Sequence, residues 1–194
     1  MAAIASPSEW LEEAASAVLA GGVVALPYER LFGLAAKATC REAALRAATV
    51  KGRSAVHAIS VILPDLAAAS EIAEPLTPLA ARLAKRHWPG PLTLLVRARS
   101  VLPAGLVGLK GLVGVRVPGP SPALDLVRRL GFALTATSAN RSGSKDALTH
   151  DDLLGLEGID VIVPGAVPGP PGSTIVDASG ATPIIMRQGI LEIG

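Results

Sequence analysis

Hydrophobic positions along the chain follow two periods, one typical of helices and one typical of buried strands. Helical spacing near the N-terminus predicts a first helix, capped by Ser8, whose apolar face contains Leu11, Ala15, Val18 and Leu19. Short apolar runs bounded by turn residues predict strands in the segments 23–26, 59–63, 92–97, 112–117, 133–137, 159–163, 173–176 and 183–186. The chain therefore alternates the two kinds of element.

Capping signals place further helices between these strands. Thr39 followed by Glu42 fits a capping box for a helix that runs to about residue 49. Ser121 and Pro122 supply a cap and a first-turn proline for another helix, which Gly131 ends. Two more helical segments are predicted at 78–86 and 149–152. Helices alternating with apolar strands predict an α/β fold, and some connections are too short for helical crossovers, so the sheet should be mixed.

Composition narrows the class of protein. The 194 residues, half of them hydrophobic, suit a single domain spanning residues 1–194. No apolar run approaches the ~20 residues of a membrane span, so no membrane association is expected. Cys40 is the only cysteine, which excludes an internal disulfide and fits a reducing compartment such as the cytoplasm. The net charge of +2 is weak evidence for binding to nucleic acid.

Two polar segments stand where loops can point side chains at a ligand. Lys51 and Arg53 follow a predicted helix, and Ser138 and Asn140 follow a predicted strand. Cations combined with neutral hydrogen-bonding groups suit an anionic, phosphate-bearing ligand. A solvated basic loop and an ordinary Ser/Asn turn are the alternative interpretations.

Arg116 ends an apolar strand, where a charge needs either a wet cleft or a partner. A bound ligand and an ion pair with an acidic residue both satisfy that requirement. The three histidines, His57, His87 and His150, lack metal-ligand spacing, so no metal site built by the protein is expected.

An ordered set of short motifs runs through nearly the whole chain. After an apolar first strand at 22–27 come K-x-R at 51–53, W-P-G-P-x-T at 88–93, V-x-V-R-x-P at 113–118, S-A-N-x-S-G at 138–143, an S-T-V-V-D-like block at 173–177 and R-x-G at 187–189. In this order the motifs resemble the YrdC family. Any one block is a weak match, whereas the ordered set is specific.

The resemblance implies a twisted open mixed sheet with flanking helices and a large, positively charged cleft. It also implies a transferase, more narrowly a nucleotidyltransferase, that joins L-threonine, bicarbonate and ATP into L-threonylcarbamoyladenylate for threonylcarbamoyladenosine modification of tRNA. Mg²⁺ would enter with the ATP phosphates. Expected partners are a tRNA threonylcarbamoyl transferase protein and, as a further candidate, tRNA or double-stranded RNA. The chain ends soon after R-x-G, as in the short members of the family.

The resemblance also assigns site residues. On the nucleotide side it implies Lys51, Arg53, Ser138, Asn140 and Arg187. On the amino-acid side it implies Tyr28, Arg116, Ser173 and Thr174. For the residues of the last two blocks, packing at a strand edge is the alternative interpretation.

Residues 27–34 depart from the family pattern P-T-[DE]-T-x-Y-G-L. Here the segment reads P-Y-E-R-L-F-G-L, so Tyr28 replaces a small hydroxyl residue and Arg30 adds a charge. Residues 58–62 also lack the P-L-x-x-H stretch. We hypothesise that the Tyr28 ring narrows the amino-acid pocket. A divergent paralogue that binds RNA or nucleotide without synthase activity, and a carbamoyl-transfer domain with another acceptor, are the alternative functions.

Overall fold

Ten strands in the part of the chain that the structure describes form one continuous sheet. The structure is a computed structural model, and it describes residues 2–6, 8–52, 59–141 and 143–193. Arg53 and His57, both considered above, lie outside these residues. The strands are β1 (Ala3–Ile4), β2 (Val24–Pro27), β3 (Phe32–Ala35), β4 (Ser60–Ile62), β5 (Leu92–Arg97), β6 (Leu112–Arg116), β7 (Leu134–Ser138), β8 (Val161–Ile162), β9 (Thr174–Asp177) and β10 (Ile184–Arg187).

Five α-helices accompany the sheet in the described residues. They are α1 (Trp10–Leu19), α2 (Arg41–Val50), α3 (Ala69–Ile72), α4 (Pro78–His87) and α5 (Pro122–Leu130). Short 3₁₀ turns lie at Ala104–Leu106, Leu109–Gly111 and Asp151–Leu153. The last of these corresponds to the helix predicted at 149–152.

Helix α5 begins and ends as its sequence predicts. The Ser121 hydroxyl accepts a hydrogen bond from the Leu124 amide at 3.4 Å, Pro122 occupies the first turn, and the helix ends at Gly131. The basic residues Arg128 and Arg129 lie in the last turn, where their positive charges interact favourably with the negative end of the helix dipole. Local capping chemistry therefore sets both ends of this helix.

Two other capping predictions were wrong. Helix α1 is capped at Glu9 without a side-chain bond, and the Ser8 hydroxyl pairs instead with the hydroxyl of Ser6. Helix α2 is capped at Cys40, so the capping box expected from Thr39 and Glu42 is not formed. In both cases the chain enters the helix one residue later than the cap signal indicates. Leu19, expected on the buried face of α1, is 67% exposed because the helix ends there.

The strands are ordered β1-β8-β2-β3-β7-β4-β6-β5-β9-β10. Pairs such as β4–β6 and β5–β9 are parallel, whereas β2–β3, β3–β7, β4–β7, β5–β6 and β9–β10 are antiparallel. The mixed α/β sheet with flanking helices is thus confirmed. Two strands were not predicted from the sequence: β1, which has only two residues, and β3, whose four residues include Gly33.

Two apolar clusters hold the layers together. The larger one joins α1, α4 and α5 to the central strands, with Val18, Leu83 and Leu126 among its buried members. The smaller one packs α2 against β2 and β3 through residues such as Ala43, Phe32 and Leu34. Burial of these side chains is the main favourable contribution to folding. No helix within the described residues is long and apolar enough to cross a membrane.

Part of one sheet face carries small or polar residues instead of large apolar ones. Ser60 on β4 lies opposite Ala136 on β7, and a Cβ placed on Gly114 of β6 would meet Ser60 and Thr93. Ser60 and Thr93 thus close over Gly114, and the short side chains of Ser60, Thr93 and Ala136 line an open space above the central strands. The adjacent residue Val115 is fully buried. The period-2 alternation of β4, β5 and β6 thus creates a floor for a cavity.

Candidate functional site

A cavity of about 460 Å³ opens above this floor. Its wall is formed by the β2–β3 turn, by the starts or ends of several strands, and by the end of the Pro/Gly-rich loop 164–172. The polar residues that line it are Tyr28, Glu29, Arg30, Ser60, Thr93, Arg116, Thr137, Ser138, Asp146, Ser173, Arg187 and Gln188. The described lining residues include three arginines and two carboxylates. The resulting excess of positive charge favours an anionic ligand.

Lys51 connects the two polar segments that the sequence singles out. Its ammonium group donates to the Ser138 carbonyl at 2.6 Å, to the Ser138 hydroxyl at 2.7 Å and to Asn140 Oδ1 at 2.6 Å. The lysine is only 2% exposed, so its charge sits in a poorly solvated place. Lys51 lies behind the cavity wall and holds Ser138 in it.

Asn140 continues this network away from the lysine. Its Oδ1 also accepts from the Ser138 hydroxyl at 2.8 Å, and its Nδ2 donates to the Ser144 carbonyl at 2.9 Å and to Asp146 at 3.3 Å. Asp146 lines the cavity, whereas Asn140 does not. The lysine charge is therefore linked through Asn140 to a carboxylate on the cavity wall.

Arg116 is held by protein acceptors on one edge of its guanidinium group. Nε donates to the Gly90 carbonyl at 2.9 Å, and Nη2 is paired with Glu29 Oε1. Glu29 Oε1 also accepts from the Gly119 amide at 2.5 Å. Of the two interpretations left open by the sequence, the ion pair is present, yet Arg116 still lines the cavity.

Tyr28 covers Gly33 of β3, and both residues line the cavity. A Cβ at Gly33 would overlap the Tyr28 ring, so the close approach of the ring requires glycine there. The hydroxyl donates to the Thr135 carbonyl at 3.4 Å, and the residue is only 9% exposed. Burial raises the pKa of Tyr28 above its usual range, an effect that the charge of Arg116 opposes and that of Glu29 reinforces. The phenol is therefore a neutral donor at physiological pH.

Ser173 and Arg187 form a second polar corner of the cavity. Arg187 Nη2 donates to the Ser173 carbonyl at 2.9 Å and to its hydroxyl at 3.2 Å, and that hydroxyl pairs with Thr93 Oγ1 at 3.0 Å. Partial burial and the nearby charge of Arg116 lower the pKa of Arg187, while Asp146 acts in the opposite direction. Two neighbouring cations that repel each other favour an anion between them.

Thr174 does not line the cavity, although it is the next residue after Ser173. Its side chain is fully buried and donates to the Leu191 carbonyl at 2.6 Å, while accepting from the amides of Gly189 and Leu191. A Cβ at Gly189 would overlap the backbone of Ser173, so glycine allows this close approach. Thr174 and the R-x-G segment thus fasten the C-terminal residues beneath the cavity wall.

The structure therefore brings Tyr28, Arg116, Ser138, Ser173 and Arg187 to one cavity, with Lys51 and Asn140 directly behind Ser138. Other lining residues were not assigned to the site from the sequence, namely Glu29, Thr93 and Asp146, whereas Arg30 was noted only as an added charge. The strand alternation around Thr93 was an available signal, since this hydroxyl stands between two buried leucines. No group of three or more His, Cys, Asp or Glu that could hold a metal ion occurs among the described residues.

Comparison with known proteins gives consistent matches over most of the chain. A family model with the description "Telomere recombination", that of the Sua5/YciO/YrdC family, matches residues 16–189. A threonylcarbamoyl-AMP synthase from Nitrosococcus oceani is 35% identical over 164 residues, which cover 84% of this chain and 89% of that protein.

Solved structures agree with this relationship. P. abyssi Sua5 complexed with L-threonine superposes with a TM-score of 0.87 at 30% identity, covering 97% of this chain and 57% of that one. This chain thus spans little more than half the length of Sua5. E. coli YciO superposes with a TM-score of 0.85 at 24% identity, covering 99% of this chain and 98% of that one, which shows a shared fold. The resemblance seen in the ordered motifs is confirmed, and the chain belongs to the Sua5/YciO/YrdC family.

Proposed function

We propose that this protein is a threonylcarbamoyl-AMP synthase, a nucleotidyltransferase that uses L-threonine, bicarbonate and ATP. The observation that carries the proposal is that one cavity is lined by members of two polar groups, Ser138 from the first and Ser173 and Arg187 from the second. One group is the Lys51–Ser138–Asn140 cluster, and the other is the corner formed by Ser173 and Arg187. Relatives with the name of this enzyme, and a threonine complex of a family member, support the assignment.

The cations suit the nucleotide. ATP would lie with its phosphates toward Ser138 and Arg187, with the charge of Lys51 behind Ser138. The family resemblance also implies Arg53 as a nucleotide contact, and this residue lies outside the described part of the chain. Positive charge there neutralises the phosphoryl group under attack and the departing pyrophosphate. Mg²⁺ would enter with the ATP phosphates. Asp146, which accepts from Asn140 Nδ2, is the lining carboxylate next to the Lys51–Ser138–Asn140 cluster.

The amino acid would occupy the part of the cavity between Tyr28, Arg116 and Ser173. The threonine amine and bicarbonate form a carbamate, with a new N–C bond and loss of water. A carbamate oxygen then attacks the α-phosphorus of ATP, and pyrophosphate leaves. No covalent intermediate on the protein is needed, so the protein contributes positioning and charge neutralisation. A transferase partner would carry the product to tRNA, and tRNA or double-stranded RNA is a further candidate partner.

Pyrophosphate release tests this function directly. We expect release from ATP to require both L-threonine and bicarbonate, and mass spectrometry of the mixture to show threonylcarbamoyl-AMP. Omission of either co-substrate is the internal control. If the protein binds ATP but releases no pyrophosphate with any amino acid, a paralogue that only binds nucleotide or RNA becomes the better account. The altered segment at residues 28–32 is the observation that favours this alternative.

Replacing Tyr28 by threonine should change the amino-acid preference. The ring covers Gly33 and lines the cavity, so its removal enlarges the space available to the substrate. In Tyr28→Thr we expect KM for threonine to fall about tenfold, which corresponds to about 1.4 kcal/mol of binding free energy. Steady-state pyrophosphate release across several amino acids measures this. Tyr28→Phe keeps the ring and is the control. Equal changes of KM in the two variants would show that the ring does not select the amino acid.

A further inference from the structure

Two buried side-chain atoms in the described part of the chain lack any hydrogen-bond partner, and they belong to consecutive residues. They are Glu29 Oε2, an acceptor, and Arg30 Nε, a donor. Buried polar atoms are almost always paired in folded proteins, so an unpaired one calls for an explanation. Both residues line the cavity. A ligand in this cavity could therefore supply both missing partners.

The neighbouring bonds show what such a ligand must offer. The other oxygen of Glu29 is already used by Arg116 and the Gly119 amide, so Oε2 is left for a donor. Arg30 Nη2 donates to the Pro170 carbonyl at 3.1 Å, which leaves Nε on the same edge for an acceptor. The Glu29 carboxylate can thus accept a hydrogen bond from an N–H group of a ligand. The Arg30 guanidinium can donate one to an anionic oxygen.

Arg116, the arginine that the sequence suggests for a substrate carboxylate, is less suited to that task than expected. Side-on binding of a carboxylate uses Nε and one Nη of the guanidinium group. On Arg116 those two positions already serve Gly90 and Glu29. Arg30 has one such position without a partner.

We propose that Glu29 and Arg30 together recognise the zwitterionic end of the amino-acid substrate. The substrate amine donates to Glu29 Oε2, and the substrate carboxylate accepts from Arg30 Nε. The bound ammonium group has no lone pair, so it releases one proton to solvent before the N–C bond to bicarbonate forms and water leaves. An N–H bond directed at Glu29 then orients the nitrogen lone pair for this step. This inference rests on the proposed function, because it requires that an amino acid bind in the cavity, and it assigns the two residues that select it.

A purely structural role for Arg30 is the competing explanation. Its backbone carbonyl accepts from the Gly169 amide at 2.9 Å, and its side chain contacts Pro170, so it ties the β2–β3 turn to loop 164–172. Loss of that tie would weaken binding of every ligand equally. Loss of a carboxylate contact would weaken only ligands that carry a carboxylate.

Calorimetric titration with truncated ligands separates the two roles. The full chain is titrated in the presence of Mg²⁺ and α,β-methylene ATP. Three ligands are compared: L-threonine, L-threoninol and 3-hydroxybutyrate. L-threoninol lacks the carboxylate, and 3-hydroxybutyrate lacks the amine. We expect Arg30→Gln to weaken L-threonine binding about tenfold, the scale of one charge-assisted hydrogen bond, and to leave L-threoninol unchanged. Glu29→Gln should weaken L-threonine and L-threoninol alike and leave 3-hydroxybutyrate unchanged.

Arg128→Gln is the matched control, because Arg128 also donates to a proline carbonyl, that of Pro64, but lies outside this cavity. It should leave all three affinities unchanged. Equal losses for threonine and threoninol in Arg30→Gln, or no loss for either, would overturn the inference.

The proposed function and this inference can fail separately. If the parent protein and both variants release pyrophosphate from threonine with the same KM, the synthase assignment stands and the recognition role is wrong. If the parent protein binds the ATP analogue but no amino acid, both the recognition role and the amino-acid half of the function are wrong.

Discussion

Replacing Lys51 by methionine is expected to lower the free energy of unfolding by about 3 kcal/mol, the scale of losing charge-assisted bonds to buried acceptors. Methionine keeps most of the apolar stem, so the change removes chiefly the ammonium group. The Ser138 carbonyl, the Ser138 hydroxyl and Asn140 Oδ1 would all lose a donor. Because the lysine is 2% exposed, water cannot readily replace it.

The same variant should lose pyrophosphate release even under conditions in which it remains folded. Ser138 lines the cavity and is positioned by Lys51, so its hydroxyl would no longer be fixed toward the nucleotide. Denaturant unfolding measures the first effect, and turnover below the new melting temperature measures the second. Lys85→Met, at an exposed site on α4, is the control and should change neither. Unchanged unfolding in Lys51→Met would mean that the cluster contributes nothing to stability.

Contacts of this kind show where sequence analysis reaches its limit. Lys51 and Ser138 are 87 residues apart, and both were identified as polar residues at the ends of elements. Their direct contact depends on the order of strands in the sheet, which local periodicity does not specify. The sequence therefore predicted that both residues belong to one site, but not that one of them holds the other.

Local signals were most reliable where the chain supplies a complete capping arrangement. Ser121, Pro122 and Gly131 fixed α5 at both ends, because each acts on its immediate neighbours. Thr39 failed as a cap because the backbone enters α2 one residue later, and Cys40 then occupies the cap position. A cap signal specifies a favourable side chain, whereas the packing of the helix decides which residue adopts the cap geometry.

The Glu29–Arg116 pair shows a different limit. The sequence left open whether Arg116 meets a ligand or an acid, since nothing local identifies a partner 87 residues away. That partner lies in the segment 27–34, where the departures from the family pattern are the bulk of Tyr28 and the added charge of Arg30. Directly after Tyr28, Glu29 and Arg30 supply the charges that shape the same wall.

Replacing Arg116 by methionine should also destabilise the fold by about 3 kcal/mol, because breaking a largely buried ion pair leaves an uncompensated charge. The side chains of Arg116 and Glu29 are only 12% and 17% exposed. By contrast, the side chains of Arg129 and Glu12 are 52% and 63% exposed, so Arg129→Met should leave the melting temperature unchanged. A similar loss of melting temperature in both variants would show that burial does not govern these pairs.

The double variant Arg116→Met, Glu29→Gln separates the stabilising role of this pair from its part in the reaction. With both charges removed, the uncompensated carboxylate of the single variant is gone, so most of the lost unfolding free energy should return. Pyrophosphate release should not return, because Glu29 and Arg116 both line the cavity and any contact they make with substrate remains lost. If stability and turnover recover together, the pair serves only to join the β2–β3 turn to β6. If stability recovers and turnover does not, the same two charges that hold the wall together also act on the substrate.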